Sequence, residues 1–330
     1  MVKKRSQGGF SLVEVLITLS LVTVLSVTAL NVLTPWLTFK QTLDTDRKLQ
    51  DMRQGLQNAY AANAMTVEVE AGRSFLGLVH DTVAPGASCG QGNNNAGALG
   101  NQKLSTYLTE AGHMAATDGS SNPLCFFISP QLTRDVEGVR LYYHMLAVVS
   151  TGKDGVLDAG TSFDAGSGQL AFADGSDDRG VVINGFAIQY TKYRETLERM
   201  NRLASLYESY FTTRFLNTAD RDVSRNYFYR NGPGGDAGGS INATGTWSPS
   251  LAVFGTALGV SPSDATSAFE EANAIEVGNN QESIAVRGLT TTVRSPATLG
   301  TGSTPPYTAL LRAQLPGAGN YVVRAVVGNY

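Results

Sequence analysis

Six aspartates fall within STGKDGVLDAGTSFDAGSGQLAFADGSDDRG, residues 150–180: Asp154, Asp158, Asp164, Asp174, Asp177 and Asp178. Only two basic residues, Lys153 and Arg179, accompany them. Carboxylates this crowded repel one another, and a hard cation relieves the repulsion. Calcium takes roughly six to eight oxygens, including carbonyls that a glycine-rich loop can turn inward. The spacing does not fit the EF-hand template. The alternative is turn chemistry alone, in which Asp and Gly close tight bends and face water.

A further acid stands apart. Glu14 is the only charged residue between Phe10 and Leu37. A carboxylate inside an apolar helix costs at least about 2.5 kcal/mol on insertion scales, so it needs a partner. Other chemistry is absent from the sequence. His80, His113 and His144 are scattered without metal-ligand spacing. There is no His-Glu-x-x-His pair or phosphate-binding glycine loop. The chain reads as a non-enzyme. The aromatic and basic run RDVSRNYFYRN, residues 221–231, could stack bases. The net charge of −3 opposes phosphate binding, so packing or a subunit contact is the preferred reading.

The elements that position these residues follow from pattern. The stretch from Phe10 to Leu37 spans roughly 28 residues, a helix of about 42 Å. About 20 suffice to cross a bilayer. Lys3, Lys4 and Arg5 precede it and should stay cytoplasmic, which leaves the body outside. Charged residues are only 16% of the chain and glycines number 36, a texture that suits a β-rich, loop-rich exported protein better than a cytosolic enzyme. In an exported body, Cys89 and Cys125 are expected to form one disulfide.

A cut after Gly9 would make Phe10 a new N-terminus, with its ammonium one helical turn from Glu14. Gly-Gly-Phe-Ser-Leu-Val-Glu, residues 8–14, resembles the prepilin signature of type IV pilins and type II secretion pseudopilins. A short basic leader, the glycine, the aromatic, the acid and the apolar helix all fall in the family's order. The resemblance implies cleavage after Gly9 by a prepilin peptidase and methylation of Phe10. It also implies that Glu14 sets register by pairing with a neighbouring subunit's N-terminus. Its implied partners are other pilin or pseudopilin subunits, the inner-membrane assembly platform and membrane lipid. The implied location is the bacterial inner membrane, then a filament. The Ser-Thr-Gly-Lys-Asp-Gly opening at 150–155 is similar to the Gly-x-Asp-Gly loop of major pseudopilins. That similarity adds Asp177 and Asp178 to Asp154 and Asp158 as candidate Ca2+ ligands.

The expected fold class is α+β: a long N-terminal spine helix with an antiparallel pilin-like head. Leu49, Met52, Leu56 and Tyr60 form a helix stripe against a core, ending near Ala64. Pro35 predicts a bend or local melting near Asn31–Pro35. A second amphipathic helix is expected over residues 191–216. Offset by 154, it aligns Leu203 with Leu49 and Glu198 with Asp44. Strands are expected over 124–129, 139–150 and 320–330. The expected organisation is a leader at 1–9, a membrane helix at 10–37 and its amphipathic continuation at 38–64. A first head at 65–190 follows, then a second helix-plus-sheet unit at 191–330, read either as a repeat of the first or as an appended domain. The leading function is a minor pilin or minor pseudopilin. The alternative is an adhesin or DNA-binding tip subunit with an enlarged C-terminal part.

Overall fold

The computed structural model describes residues 11–69, 117–164, 166–228, 247–250, 258–269, 274–279, 293–294, 307–317 and 319–330. Helix α1 (Leu12–Ala62) runs through Pro35 without interruption, so the local melting expected there does not occur. One missing N–H in a helix of 51 residues leaves the rest of the ladder intact. The helix satisfies most of its own hydroxyls. The hydroxyls of Thr18, Ser20, Thr23, Thr28, Thr34 and Thr38 all donate to carbonyls three or four residues earlier. In lipid, where no water can replace them, such internal bonds are what a spanning helix needs. The apolar side chains from Leu12 to Leu33 are all exposed.

Burial on α1 begins at Thr45. Leu49, Met52, Leu56 and Tyr60, the predicted stripe, are all buried. The helix stops at Ala62, where Asn63 caps it, and a short α2 (Ala64–Val69) follows. The stripe packs on one face of a three-stranded antiparallel sheet, ordered β1 (Cys125–Ile128), β4 (Met145–Ser150), β7 (Arg179–Asn184). Phe126, Ile128, Leu146, Val148, Val181 and Ile183 meet it there. The opposite face carries Cys125, Phe127, Ala147 and Val149. Leu157 and Phe163, from the acidic stretch itself, cover that face. This is why the aspartate-rich segment folds down as an ordered flap: its interspersed apolar residues bury against the sheet while its acids, apart from the buried Asp178, stay at the rim. A small hairpin, β5 (Ser162–Asp164) with β6 (Gln169–Ala171), shapes the flap.

The strand expected over 139–150 is two strands. β3 (Val139–Tyr143) pairs with β2 (Leu132–Val136), and β4 belongs to the three-stranded sheet. His144 separates them because its backbone N–H donates to the Tyr60 hydroxyl at 3.0 Å rather than continuing a ladder.

Strand β7 passes directly into α3 (Gly185–Asn217), capped by Asn184, whose side chain accepts from the N–H of Ala187. The helix therefore starts at Gly185, ahead of the expected 191. Phe186 and Ile188 read locally as strand, but tertiary packing overrides that preference. Its predicted stripe, Tyr193, Leu197, Met200, Leu203, Tyr207 and Tyr210, is buried. Arg179 pairs with Asp46 at 3.2 Å, and Gly185 lies against the Tyr60 ring. Strand β7 thus runs alongside α1 in the same direction, and α3 continues beyond the end of the spine.

The distal part is built on α3. β8 (Ser248–Pro249), β9 (Glu276–Asn279), β10 (Val293–Arg294), β11 (Thr308–Gln314) and β12 (Tyr321–Val327) form a sheet ordered β10-β12-β11-β9-β8. All its pairings are antiparallel except β10 with β12. Its core joins Val277, Ala309, Leu311, Val322 and Val326 to Phe211, Phe215, Tyr227 and Phe228. Ala64, Met65, Val139 and Leu141 share that same core, so it draws on residues from both sides of the expected 190/191 boundary. The architecture is α+β and pilin-like: a long apolar N-terminal helix followed by antiparallel sheets.

Candidate functional site

At its N-terminus α1 is closed by a capping box. The Ser11 side chain accepts from the N–H of Glu14 at 3.3 Å, and the Ser11 N–H donates to the Glu14 carboxylate at 3.0 Å. This satisfies two helix-end donors reciprocally and places the negative charge at the positive end of the helix dipole. Glu14 is exposed in the single chain. Gly9 and Phe10 lie outside the described residues. The α1 segment Leu12–Ala62 is long and apolar enough at its start to cross a membrane.

The acidic flap brings three of the four candidate ligands together. Oxygens of Asp158, Asp177 and Asp178 lie within 4.8 Å of one another. Asp154 is not in this group; its Oδ1 accepts from the N–H of Val156 at 3.0 Å, as in an ordinary turn. Asp178 is 5% exposed. Its Oδ2 accepts from the Asp158 N–H at 2.8 Å and the Thr161 hydroxyl at 2.5 Å. Its Oδ1 is buried without a hydrogen-bond partner. Burial raises the Asp178 carboxyl above the usual aspartate range, partly offset by the bond from Thr161. Gly152 is required beside this group: its φ is +65°, and a Cβ there would lie 2.3 Å from Asp177 Cγ. The donor set, three carboxylates with one buried orphan oxygen, fits a hard cation such as Ca2+.

Cys125 is buried on β1 and is not a free cysteine. Cys89 lies outside the described residues, as do His80 and His113. His144 is not a lone packing residue. Its Nδ1 lies 3.0 Å from the Glu68 carboxylate, which also accepts from the Tyr60 hydroxyl and from Gln131 Nε2 at 3.1 Å. Glu68 is 2% exposed. Burial, then the Glu68 charge, pushes the Tyr60 phenol well above its ordinary value. This cluster ties the end of α1 and α2 to the turn between β3 and β4. Sequence reading missed it because its members lie 76 and 84 residues apart and no spacing signals such a pairing.

The N-terminal geometry now has a counterpart among known families. Residues 4–30 match the family described as the prokaryotic N-terminal methylation motif. The chain carries the prepilin-type signature of type IV pilins and pseudopilins. No curated protein and no solved structure matches it. The motif points to a structural subunit, processed by a peptidase and assembled with other pilin subunits, rather than to an enzyme. The apolar helix that follows fits an inner-membrane anchor.

Proposed function

We propose that the chain is a minor pilin or minor pseudopilin, cleaved after Gly9, methylated on Phe10 and assembled into a type IV pilus or type II secretion filament. The observation that carries this reading is the methylation motif running into a helix whose apolar side chains from Leu12 to Leu33 are all exposed. Such a surface needs lipid or neighbouring helices to cover it. Glu14 is held by its own chain in the capping box, and assembly exchanges that partner for the N-terminal ammonium of the next subunit. The bulk added beyond the first sheet suits a low-abundance subunit near the filament tip. Ca2+ bound by Asp158, Asp177 and Asp178 would pin the flap to the sheet. A Cys89–Cys125 disulfide would fasten the segment before β1.

A repeat of helix and sheet remains part of the reading. Three antiparallel strands in the order β9-β11-β12 face α3, as β1-β4-β7 face α1. The helix alignment at offset 154 does not support it. That offset sets buried Met52 against exposed Leu206, and exposed Leu43 against buried Leu197. A second function, adhesion through the distal part, draws on the exposed Leu216, Val223 and Tyr330 at the far end of α3.

Mass spectrometry of the N-terminal peptide from host membranes tests the main reading. A peptide beginning at N-methyl-Phe10 is expected. An intact leader in cells with active prepilin peptidase would refute it. Loss of surface binding with intact filaments on deleting 217–330 would favour adhesion.

A further inference from the structure

Depth in the membrane can be read from one pair of residues. Trp36 is 56% exposed, and Lys40 Nζ sits 5.9 Å from its ring centroid. An exposed Trp with a Lys one turn on is the pattern of a membrane–water interface. Thr38 lies between them, about 3 Å along the axis from each. The Lys153 ammonium donates to Thr38 Oγ1 at 2.9 Å. The loop thus reaches down from the head and holds a cation at headgroup depth. No carboxylate among the described residues lies within ion-pair distance of that ammonium. Beside it is a cavity of about 230 Å³ whose lining includes Thr42, Ser120, Ser176 and Arg179. Asp177 is the one acid in the lining, and its Oδ2 is taken by the Lys153 backbone N–H at 2.7 Å. Arg179 is shared with Asp46.

We propose that Lys153 and the hydroxyl-lined cavity beside Thr38 bind the phosphate of an anionic phospholipid headgroup while the subunit waits in the membrane. A cation near an anionic membrane surface gains about 1 kcal/mol, a five-fold preference. The contact seats the head on the bilayer, and extraction into a filament breaks it. This inference rests on α1 being the membrane anchor.

The test uses the full chain reconstituted in vesicles of phosphatidylcholine and phosphatidylglycerol, with spin-labelled forms of each lipid. The chain is expected to float with the vesicles and to prefer the glycerol lipid. Lys153→Gln should lower that preference about five-fold, and Lys153→Arg should keep it. Arg53→Gln removes the same charge about 22 Å further along the helix, beyond the roughly 8 Å screening length, and should change nothing. Failure to float overturns the anchor and the site together. Flotation with equal loss in the Arg53→Gln and Lys153→Gln variants, or no loss in either, overturns the site alone.

Discussion

Replacing Glu68 by Leu tests whether the buried cluster at the end of the spine holds α1 and α2 to the turn between β3 and β4. The substitution leaves the Tyr60 hydroxyl and His144 Nδ1 without their shared acceptor, whereas Gln131 Nε2 keeps the Glu68 backbone carbonyl at 2.7 Å. Leaving a buried donor without its acceptor costs about 1–3 kcal/mol, so the two donors together lose about 2–6 kcal/mol. For a head of this size, each kcal/mol moves the midpoint by about 2–4 °C. The expected fall in Tm is therefore about 4–24 °C. Tyr60→Phe removes one donor and also strips the His144 backbone N–H of its acceptor, at about 1–3 kcal/mol. Thermal melts of the full chain in detergent, followed by near-ultraviolet circular dichroism, report the head rather than the membrane helix. A Glu68→Leu variant within about 1 kcal/mol of the parent, or a Tyr60→Phe variant less stable than Glu68→Leu, would refute the reasoning.

Gly185→Ala places a Cβ 2.1 Å from the His144 carbonyl oxygen, which is backbone and cannot turn away. Overpacking of this kind should cost about 1–3 kcal/mol, read as a lower urea midpoint. Asp178→Asn tests the cation site and its pH dependence. Burial raises the Asp178 carboxyl, so metal-free stability is full below the ordinary aspartate value of 3.8 and falls as pH rises through the raised value. The Asp178→Asn variant should lack that fall and be the more stable at neutral pH without metal. Added Ca2+ at about a hundred times its Kd should raise parent stability by about 2.7 kcal/mol and leave the variant unchanged. Glu14→Ala should retain membrane insertion but vanish from sheared filaments on immunoblots. Equal incorporation would show that Glu14 serves only the helix cap.

Much of the proximal fold was legible because it rests on local patterns. The stripes on α1 and α3 are buried as their spacing required, and the apolar run from Leu12 is helical through Pro35. Boundaries were less legible where tertiary contacts decide them. His144 breaks an otherwise continuous strand pattern because Tyr60, on another element, takes its N–H. The start of α3 hid behind β-like residues, although Asn184 was a readable cap. Among the aspartates, composition could not separate Asp154 from Asp178. Their difference lies in Leu157 and Phe163, which pull one part of the flap onto the sheet and leave the other in a surface turn. The phase error in the repeat alignment has a similar origin. Charge pairs recur at helical spacing, so they match at several offsets, whereas the buried face admits only a few.

The junction at Asn184 also has a mechanical meaning. Strand β7 becomes α3 with no residue to spare, and β7 is registered to β4 along six residue pairs. A load applied at the far end of α3 runs down the helix axis into that strand. There it acts lengthwise, against many hydrogen bonds in parallel rather than peeling them singly. The proximal and distal sheets have no loose joint between them at this point, so tension reaching the subunit is passed along a single strut.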